Sequence, residues 1–395
     1  MKLRLLTALC GLVAASICHA NVQIIARLAD GVEPGQVGAA YGLAVLDQTD
    51  QAPFVLFDAP DVSSATVART LMTLDENVVW TEDNFNLAAP EGQRKGSTLP
   101  AVGDRTSNVN ANRNVLSQIS WTPSVASAPG RTVKVAILDT GLSPFAGAIW
   151  NKVAASANFV EFTAPAYDIP QNTDSNRDGL FDQMTGHGTM VAGIVDQVSP
   201  QSQFIVVRVA DSDGNSSTWK LIKGIAFATV NGAELANISL GTLTRIPALS
   251  DVFDWSTERN LTVVAAIGNN GLRDACSPAR IRNAICVAGL TSTNLKASFS
   301  NWDSVCLVSA PAEGICSTDW SGSMAVWSGT SFSTPFVTGG LAELLRRNGP
   351  LGSSSTLSSA LKSSVTDISK LNPLYKGRLG GLLNVAKLIQ QARSR

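Results

Sequence analysis

Histidine is almost absent from this chain: only His19 and His187 carry an imidazole among 395 residues. With no Cys-x-x-Cys pair and no second histidine after residue 20, a zinc site of those ligands is excluded. No apolar run reaches the eighteen or so residues that span a bilayer, so no membrane partner is expected. Charge of one sign is also lacking. The 30 Lys and Arg balance 31 Asp and Glu, for a formal net charge of −1, which gives no reason to expect a nucleic-acid or anionic-lipid partner. Internal repeats are missing, and no Gly-x-Ser-x-Gly elbow surrounds Ser331. What remains is an ordinary globular composition. Its 45% hydrophobic content is ample for a sizeable core in one large or two unequal domains.

The first twenty residues read as a targeting segment. Lys2 and Arg4 form a basic n-region, Leu5 to Ile17 an apolar stretch, and Cys18-His19-Ala20 a small-residue cleavage site. The expectation is a signal peptide over 1–20 and a secreted protein, extracellular or periplasmic. Bulky Leu9 and Ile17, directly before Cys10 and Cys18, argue against lipidation there. Downstream remain Cys276, Cys286, Cys306 and Cys316. An even number in an exported chain reads as two disulfides, with three connectivities open.

Residues 21–88 alternate short apolar runs (Val22 to Leu28, Leu43 to Leu46, Phe54 to Phe57, Val78 to Trp80) around a helical stretch from Ser63 to Leu74. That is the pattern of a small α+β domain. The polar stretch 89–113 carries Pro90, Gly92, Gly96 and Pro100 and reads as an exposed linker with a processing site. From 114 to 395 the pattern changes. β-branched runs of strand length recur (Val133 to Leu138, Phe204 to Val209, Leu235 to Leu240, Leu261 to Ile267, Ala284 to Ala288), separated by amphipathic helical stretches Thr189 to Val198, Trp219 to Val230 and Val252 to Arg259. This alternation predicts an α/β fold, a doubly wound, mostly parallel sheet covered on both faces. In such sheets chemistry gathers at the carboxyl ends of strands. Asp139 ends the first run, and Asn269 follows the run closing at Ile267.

Three motifs combine into one chemistry. His187 sits in Gly-His-Gly-Thr-Met-Val-Ala-Gly, Asp139 ends Val-Ala-Ile-Leu-Asp-Thr-Gly, and Ser331 lies in Gly-Thr-Ser-Phe-Ser-Thr-Pro. Imidazole titrates nearest neutrality and is the usual base for a hydroxyl. A serine nucleophile needs such a base, and the base needs a carboxylate to fix its tautomer. Asp139, His187 and Ser331 are therefore the expected catalytic residues. An oxyanion could be met by the Ser331 N–H at a helix start and by the Asn269 amide.

These motifs make the chain resemble the subtilisin-like serine proteases, the subtilase family. The likeness covers about 115 to 390 and includes Asp, His, Ser in the chain order found in subtilisin. It implies a serine endopeptidase acting through an acyl-enzyme, with Asn269 in the oxyanion hole. Ser239, Leu240, Gly241, Ala265, Ala266 and Gly268 are the implied substrate-binding residues. It also implies that 21–88 is a propeptide that folds the catalytic domain, inhibits it intramolecularly and is removed autocatalytically. Peptides or proteins are the implied substrates. The competing readings are a catalytically silent binding module, which predicts loss of a triad or oxyanion residue, and a serine esterase, which predicts a cleft without peptide-pairing edges. Met190 and Phe336 stand where many relatives have histidines, and Ser333 where Ala is common, implying altered packing. Gly-Thr-Ser-Phe-Ser-Thr-Pro has a slight look of the acid-active sedolisins, but those use a Glu-containing set and an oxyanion Asp.

No cofactor is required for this chemistry. Asp174, Asn176, Asp178 and Asp182 place oxygen ligands around Gly179 like the start of a calcium loop. Thr185 stands where that template wants a glutamate, and the family's frequent structural calcium adds to the expectation. By the resemblance, too, Cys276–Cys306 is the first disulfide choice, leaving Cys286–Cys316. The rivals are two local bridges, Cys276–Cys286 and Cys306–Cys316, and a free buried thiol at Cys286, which lies in the apolar run Ile285 to Ala288.

Overall fold

The computed structural model describes residues 22–88, 98–162, 165–351 and 354–391. The leader expected at 1–20 and residues 89–97 of the expected linker lie outside them. The chain divides into two compact units: residues 22–48 with Pro53–Asp83, and Thr49–Ala52 with everything from Asn84 onward.

The first unit contains β1 (Val22–Leu28), α1 (Pro34–Tyr41), β2 (Ala44–Gln48), β3 (Phe54–Ala59), α2 (Val62–Met72) and β4 (Val78–Asp83). Its strands form an antiparallel sheet in the order β2-β3-β1-β4. Ile24, Ala26 and Leu28 recur at period two along β1, and Ala65, Ala68 and Met72 at helical spacing along α2; all are buried in one core with Phe57 and Ala59. Asp61 caps α2 by accepting the Ser64 N–H at 2.8 Å. The pattern reading missed α1. It is eight residues long, opens on Pro34 and closes at left-handed Gly42, with little apolar periodicity to betray it.

The second unit begins with β5 (Asn86–Ala88), β6 (Thr98–Val102), α3 (Arg105–Ala111), α4 (Arg113–Gln118) and α5 (Pro123–Ser127). Residues 98–113 are therefore not bare linker. β6 pairs antiparallel with a later strand, and α3 is capped by Asp104 on the Ser107 N–H. The polar residues that suggested exposure serve as caps and ties: Asn108 is buried and donates to the Thr318 hydroxyl at 2.9 Å.

Next follow β7 (Lys134–Asp139), β8 (Val153–Asn158), α6 (His187–Val198), β9 (Gln203–Arg208), β10 (Asn215–Ser217), α7 (Thr218–Val230), β11 (Leu235–Ile238), α8 (Ala248–Thr257), β12 (Thr262–Ala266), β13 (Ala284–Leu290) and β14 (Cys306–Pro311). The chain closes with β15 (Ile315–Thr318), β16 (Ser323–Trp327), α9 (Thr330–Asn348), α10 (Ser354–Ser364), β17 (Gly381–Leu382) and α11 (Val385–Leu388). Eight strands form one sheet in the order β17-β14-β13-β12-β11-β7-β9-β8, and every pair is parallel. β11 and β12 are buried at every residue, as continuous apolar runs in a two-sided sheet require. α6 packs on α9 and α7 on α8, and both pairs lie against the sheet.

Strand order reverses at β7, whose neighbours are β9 on one side and β11 on the other. Asp139 is the last residue of β7, so it stands at the switch point where open α/β sheets place their sites. At its far end α9 is fixed by a buried pair: Glu343 accepts from Arg346 at 3.0 and 2.7 Å, and both side chains are fully buried. Replacing Arg346 by Ala removes both of its charge-assisted hydrogen bonds to the buried Glu343 carboxylate and leaves it the Ser199 hydroxyl at 2.8 Å and Arg347 Nε at 3.6 Å. Equilibrium urea unfolding is therefore expected to show a loss of about 3 kcal/mol, the lower end of the range for breaking a buried pair.

Candidate active site

The three motif residues converge from three elements. Asp139 is fully buried at the end of β7; its Oδ1 accepts the Thr140 N–H at 2.8 Å and meets His187 Nδ1 at 2.6 Å. That contact occupies one ring nitrogen and fixes the ring's orientation, as an imidazole base requires. His187 is the first residue of α6, and Ser331 the second of α9. The His187 ring lies 5.4 Å from the ring of Phe332, the residue after the serine, and 6.0 Å from Trp327. Ser331 is fully buried; its hydroxyl donates to the Ser239 carbonyl at 3.1 Å, and the Ser239 hydroxyl donates to the Ser331 carbonyl at 2.9 Å.

Glycine makes the convergence possible at one point. A Cβ on Gly188 would sit 2.4 Å from the Gly141 carbonyl oxygen and 3.1 Å from Asp139 Cβ. The Gly188 N–H instead donates to the Thr140 hydroxyl at 2.9 Å. The loop after Asp139 and the first turn of α6 therefore touch backbone to backbone.

Asn269 is buried near the start of α9, and its side-chain oxygen accepts the Thr330 N–H at 2.9 Å. The Thr330 hydroxyl also accepts the Gly268 N–H at 3.3 Å. Because the oxygen is turned to the helix, the orientation of the amide is set. The Ser331 N–H lies in the first turn of the same helix, where no intrahelical carbonyl is available to it.

A cavity of about 290 Å³ opens beside these groups, lined by Ala88, Ser239, Leu240, Gly241, Thr242, Leu243, Ala266, Gly268, Asn270 and Cys276. Five of the six expected substrate-binding residues line it, whereas Ala265 lies within β12 and is fully buried in the sheet. The chain's own β5 runs along this edge. Ala88 exchanges both backbone hydrogen bonds with Gly241, at 3.3 and 3.1 Å, while β5 pairs antiparallel with β10 on its other side. Leu87 is buried, and the carbonyl of Phe85 and the side chain of Asn84 accept the Thr218 and Trp219 N–H groups opening α7. The motif reading missed β10, whose Asn-Ser-Ser has the look of a helix approach; Ser217 does cap α7, on the Lys220 N–H.

The calcium expectation finds no cage. Asp182 accepts the N–H groups of Gln171, Asn172 and Thr173 and the Ser212 hydroxyl. Burial opposes its ionisation, but those donors hold its carboxyl below the ordinary value. Asp174, Asn176 and Asp178 accept backbone N–H groups of their own loop. Among the described residues no group of three His, Cys, Asp or Glu side chains could hold a metal ion.

The disulfide pairing is likewise not formed. Cys276, Cys286, Cys306 and Cys316 are all buried, and none is joined to another in a disulfide. Cys286 and Cys306 face each other across β13 and β14, whereas Cys316 lies on β15 in a different sheet. The spacing in sequence carries no information on which strands become neighbours. Burial, reinforced by Cys306, pushes the Cys286 thiol well above its ordinary range, which makes it unreactive.

The sequence profile of the subtilase family matches residues 130–380. Subtilisin BL from Lederbergia lenta is 32% identical over 264 residues, covering 65% of this chain and 90% of that protein. Subtilisin E from Bacillus subtilis strain 168 is 32% identical over 274 residues, 66% of each chain. M-protease from Shouchella clausii is also 32% identical, but only 63% of its length is spanned. Among solved structures, fervidolysin from Fervidobacterium pennivorans, described as a keratinolytic enzyme related to subtilisin, superposes with a TM-score of 0.74 at 20% identity. That match covers 94% of this chain and 61% of fervidolysin, and shows the shared fold. A cold-adapted subtilisin-like serine proteinase gives 0.57 at 27% identity, over 66% of this chain and 91% of that one.

The close approach at Gly188 gives a direct expectation. Gly188→Ala forces the two motifs apart, and thermal unfolding should register a loss of about 1–3 kcal/mol from overpacking.

Proposed function

Because this chain belongs to the subtilase family of serine-type endopeptidases, we propose that it hydrolyses peptide bonds with Ser331 as nucleophile, His187 as general base and acid, and Asp139 as the orienting carboxylate. The observation that carries this reading is the 2.6 Å contact between the buried Asp139 carboxylate and His187 Nδ1 at the sheet's switch point. His187 takes the Ser331 proton as the hydroxyl attacks the carbonyl, and returns it to the leaving amine. Water then repeats the sequence on the acyl-enzyme. Developing charge on the carbonyl oxygen is met by the Ser331 N–H and the Asn269 amide. The peptide lies along Gly241 as an added antiparallel strand, and the pairing of Ala88 with Gly241 supports that geometry.

The same pairing supports synthesis as a self-processing precursor, residues 21–88 acting as inhibitor until cleavage within 89–113. Basic, apolar and small-residue segments in the first twenty residues support secretion. Among the described residues no helix is long and apolar enough to cross a membrane.

Incubating the purified chain with casein, with and without a serine-reactive fluorophosphonate, tests the assignment. Hydrolysis should be blocked and the label recovered on the Ser331 peptide; label on another residue refutes the nucleophile. Ser331→Ala should be inert and remain full length in a protease-free host. Self-processing of that variant argues against a single nucleophile for both cleavages. Asn269→Ala should lower turnover by roughly 10²–10³, the order found when the equivalent donor is removed from subtilisin, and steady-state kinetics reads it.

A further inference from the structure

We propose that Asp168, which none of the three motifs contains, is a positioning residue for His187: its buried carboxylate fixes the first turn of α6 and with it the imidazole. The inference rests on the proteolytic reading above for the role of His187, and on local geometry for the rest.

An α-helix begins with N–H groups that have no partner within it, and a side chain at the N-cap ordinarily supplies one. α6 has no such residue. Its N-cap is Gly186, held at φ 92°, with no side chain to offer. A Cβ there would also lie 2.4 Å from Asp319 Oδ1, so backbone and space both demand glycine. Capping must come from elsewhere in the chain.

Asp168 provides it. Oδ1 accepts the Gly186 N–H at 2.8 Å, while Oδ2 accepts the Thr189 N–H at 3.0 Å and the Thr189 hydroxyl at 2.7 Å. One carboxylate thus grips the helix start immediately before and two residues after His187. Its negative charge sits at the positive end of the helix dipole. Asp168 is fully buried, so water does not compete for these bonds.

The grip extends to the Asp139 side of the site. The Thr189 hydroxyl accepts the Ser143 N–H at 2.9 Å, and the Leu142 N–H donates to the Ala166 carbonyl at 3.0 Å. Arg208, also fully buried, donates to the carbonyls of Thr140 and Tyr167. Burial lowers its pKa, and Asp168 leads the anions that oppose that shift. Residues 166–168 therefore hold the loop after Asp139 and the helix carrying His187 in one register. Outer groups that orient a reacting imidazole affect rate without touching substrate.

Asp168→Asn keeps shape and volume but turns an NH₂ group toward one of the two backbone donors. The expected result is a fall in kcat of roughly tenfold to a hundredfold on a peptide substrate, with KM changed by less than about twofold. A merely structural role predicts fewer folded molecules, counted by circular dichroism, each with wild-type kcat; that outcome overturns the proposal. A second readout does not depend on turnover. With histidine labelled by ¹⁵N, only His19 and His187 contribute, so the Nδ1–H resonance of the His187–Asp139 bond is assignable. It should shift in Asp168→Asn, and an unmoved resonance refutes the positioning role even if the wild-type chain cleaves no peptide. Should Asp168→Asn not fold, Thr189→Val removes the hydroxyl's bonds to Asp168 and Ser143 while leaving the two backbone N–H bonds to Asp168 in place, and should lower kcat several-fold at unchanged KM. Wild-type kcat in that variant counts equally against the inference.

Discussion

The contact between Asp139 and His187 is short, fully buried and made by two residues that begin or end regular elements. Neither element can move without the other. β7 is held in the sheet by ladders to β9 and β11 on its two sides, and α6 is packed against α9, which carries Ser331. Any tilt of α6 thus changes both the imidazole–carboxylate distance and the imidazole's relation to the serine. The cost of such a tilt is high because the interior is close-packed and relaxes poorly. A preorganised site of this kind meets charge as it develops instead of reorganising to do so.

Two devices protect this arrangement. Glycine is used where side-chain volume would separate the motifs, at Gly188 against Gly141 and at Gly186 against Asp319. Donors exposed by that choice are then satisfied from a distance, by Thr140 and Asp168. Loss of local capping and gain of remote capping are two sides of one solution. The start of α9 follows the same logic, with Asn269 and Gly268 tied to Thr330 instead of a side chain at Gly329.

Much of this was legible in the sequence because it follows from periodicity. The β-branched runs at β7, β9, β11, β12 and β13 were found with ends wrong by a few residues, since apolar runs mark burial rather than hydrogen bonding. Asp139, His187, Ser331 and Asn269 stood out because short motifs keep chemistry and glycine together. Asp168 did not. A lone acidic residue in a Tyr-Asp-Ile-Pro stretch gives no local sign that a helix start 18 residues later will need its oxygens. α3 is hidden for the opposite reason, because capping residues are polar and polar runs suggest linker, and β6, Thr-Leu-Pro-Ala-Val, because its Pro100 reads as a loop signal. The expected metal ligands carry the same ambiguity: Asp174, Asp178 and Asp182 are spaced like cation ligands, and carboxylates at that spacing equally accept backbone N–H groups, as these do. Strand adjacency between Cys286 and Cys306 is a property of topology, which cysteine spacing cannot encode.

The strand formed by Asn86–Ala88 lies between β10 and Gly241 as part of the same polypeptide. A tethered segment competes for its site at an effective concentration that reaches the millimolar range for short flexible connections. A free peptide at micromolar concentration faces a disadvantage of about a thousandfold by that measure, whatever its own side chains offer. Cutting the connection ends this advantage without altering one contact in the channel: the severed segment is then a solute, diluted like any other. In the uncut chain, occupation of this edge by Asn86–Ala88 is therefore set by connectivity and volume as well as by contacts, and under the precursor reading proposed above a cut changes the first two and none of the contacts.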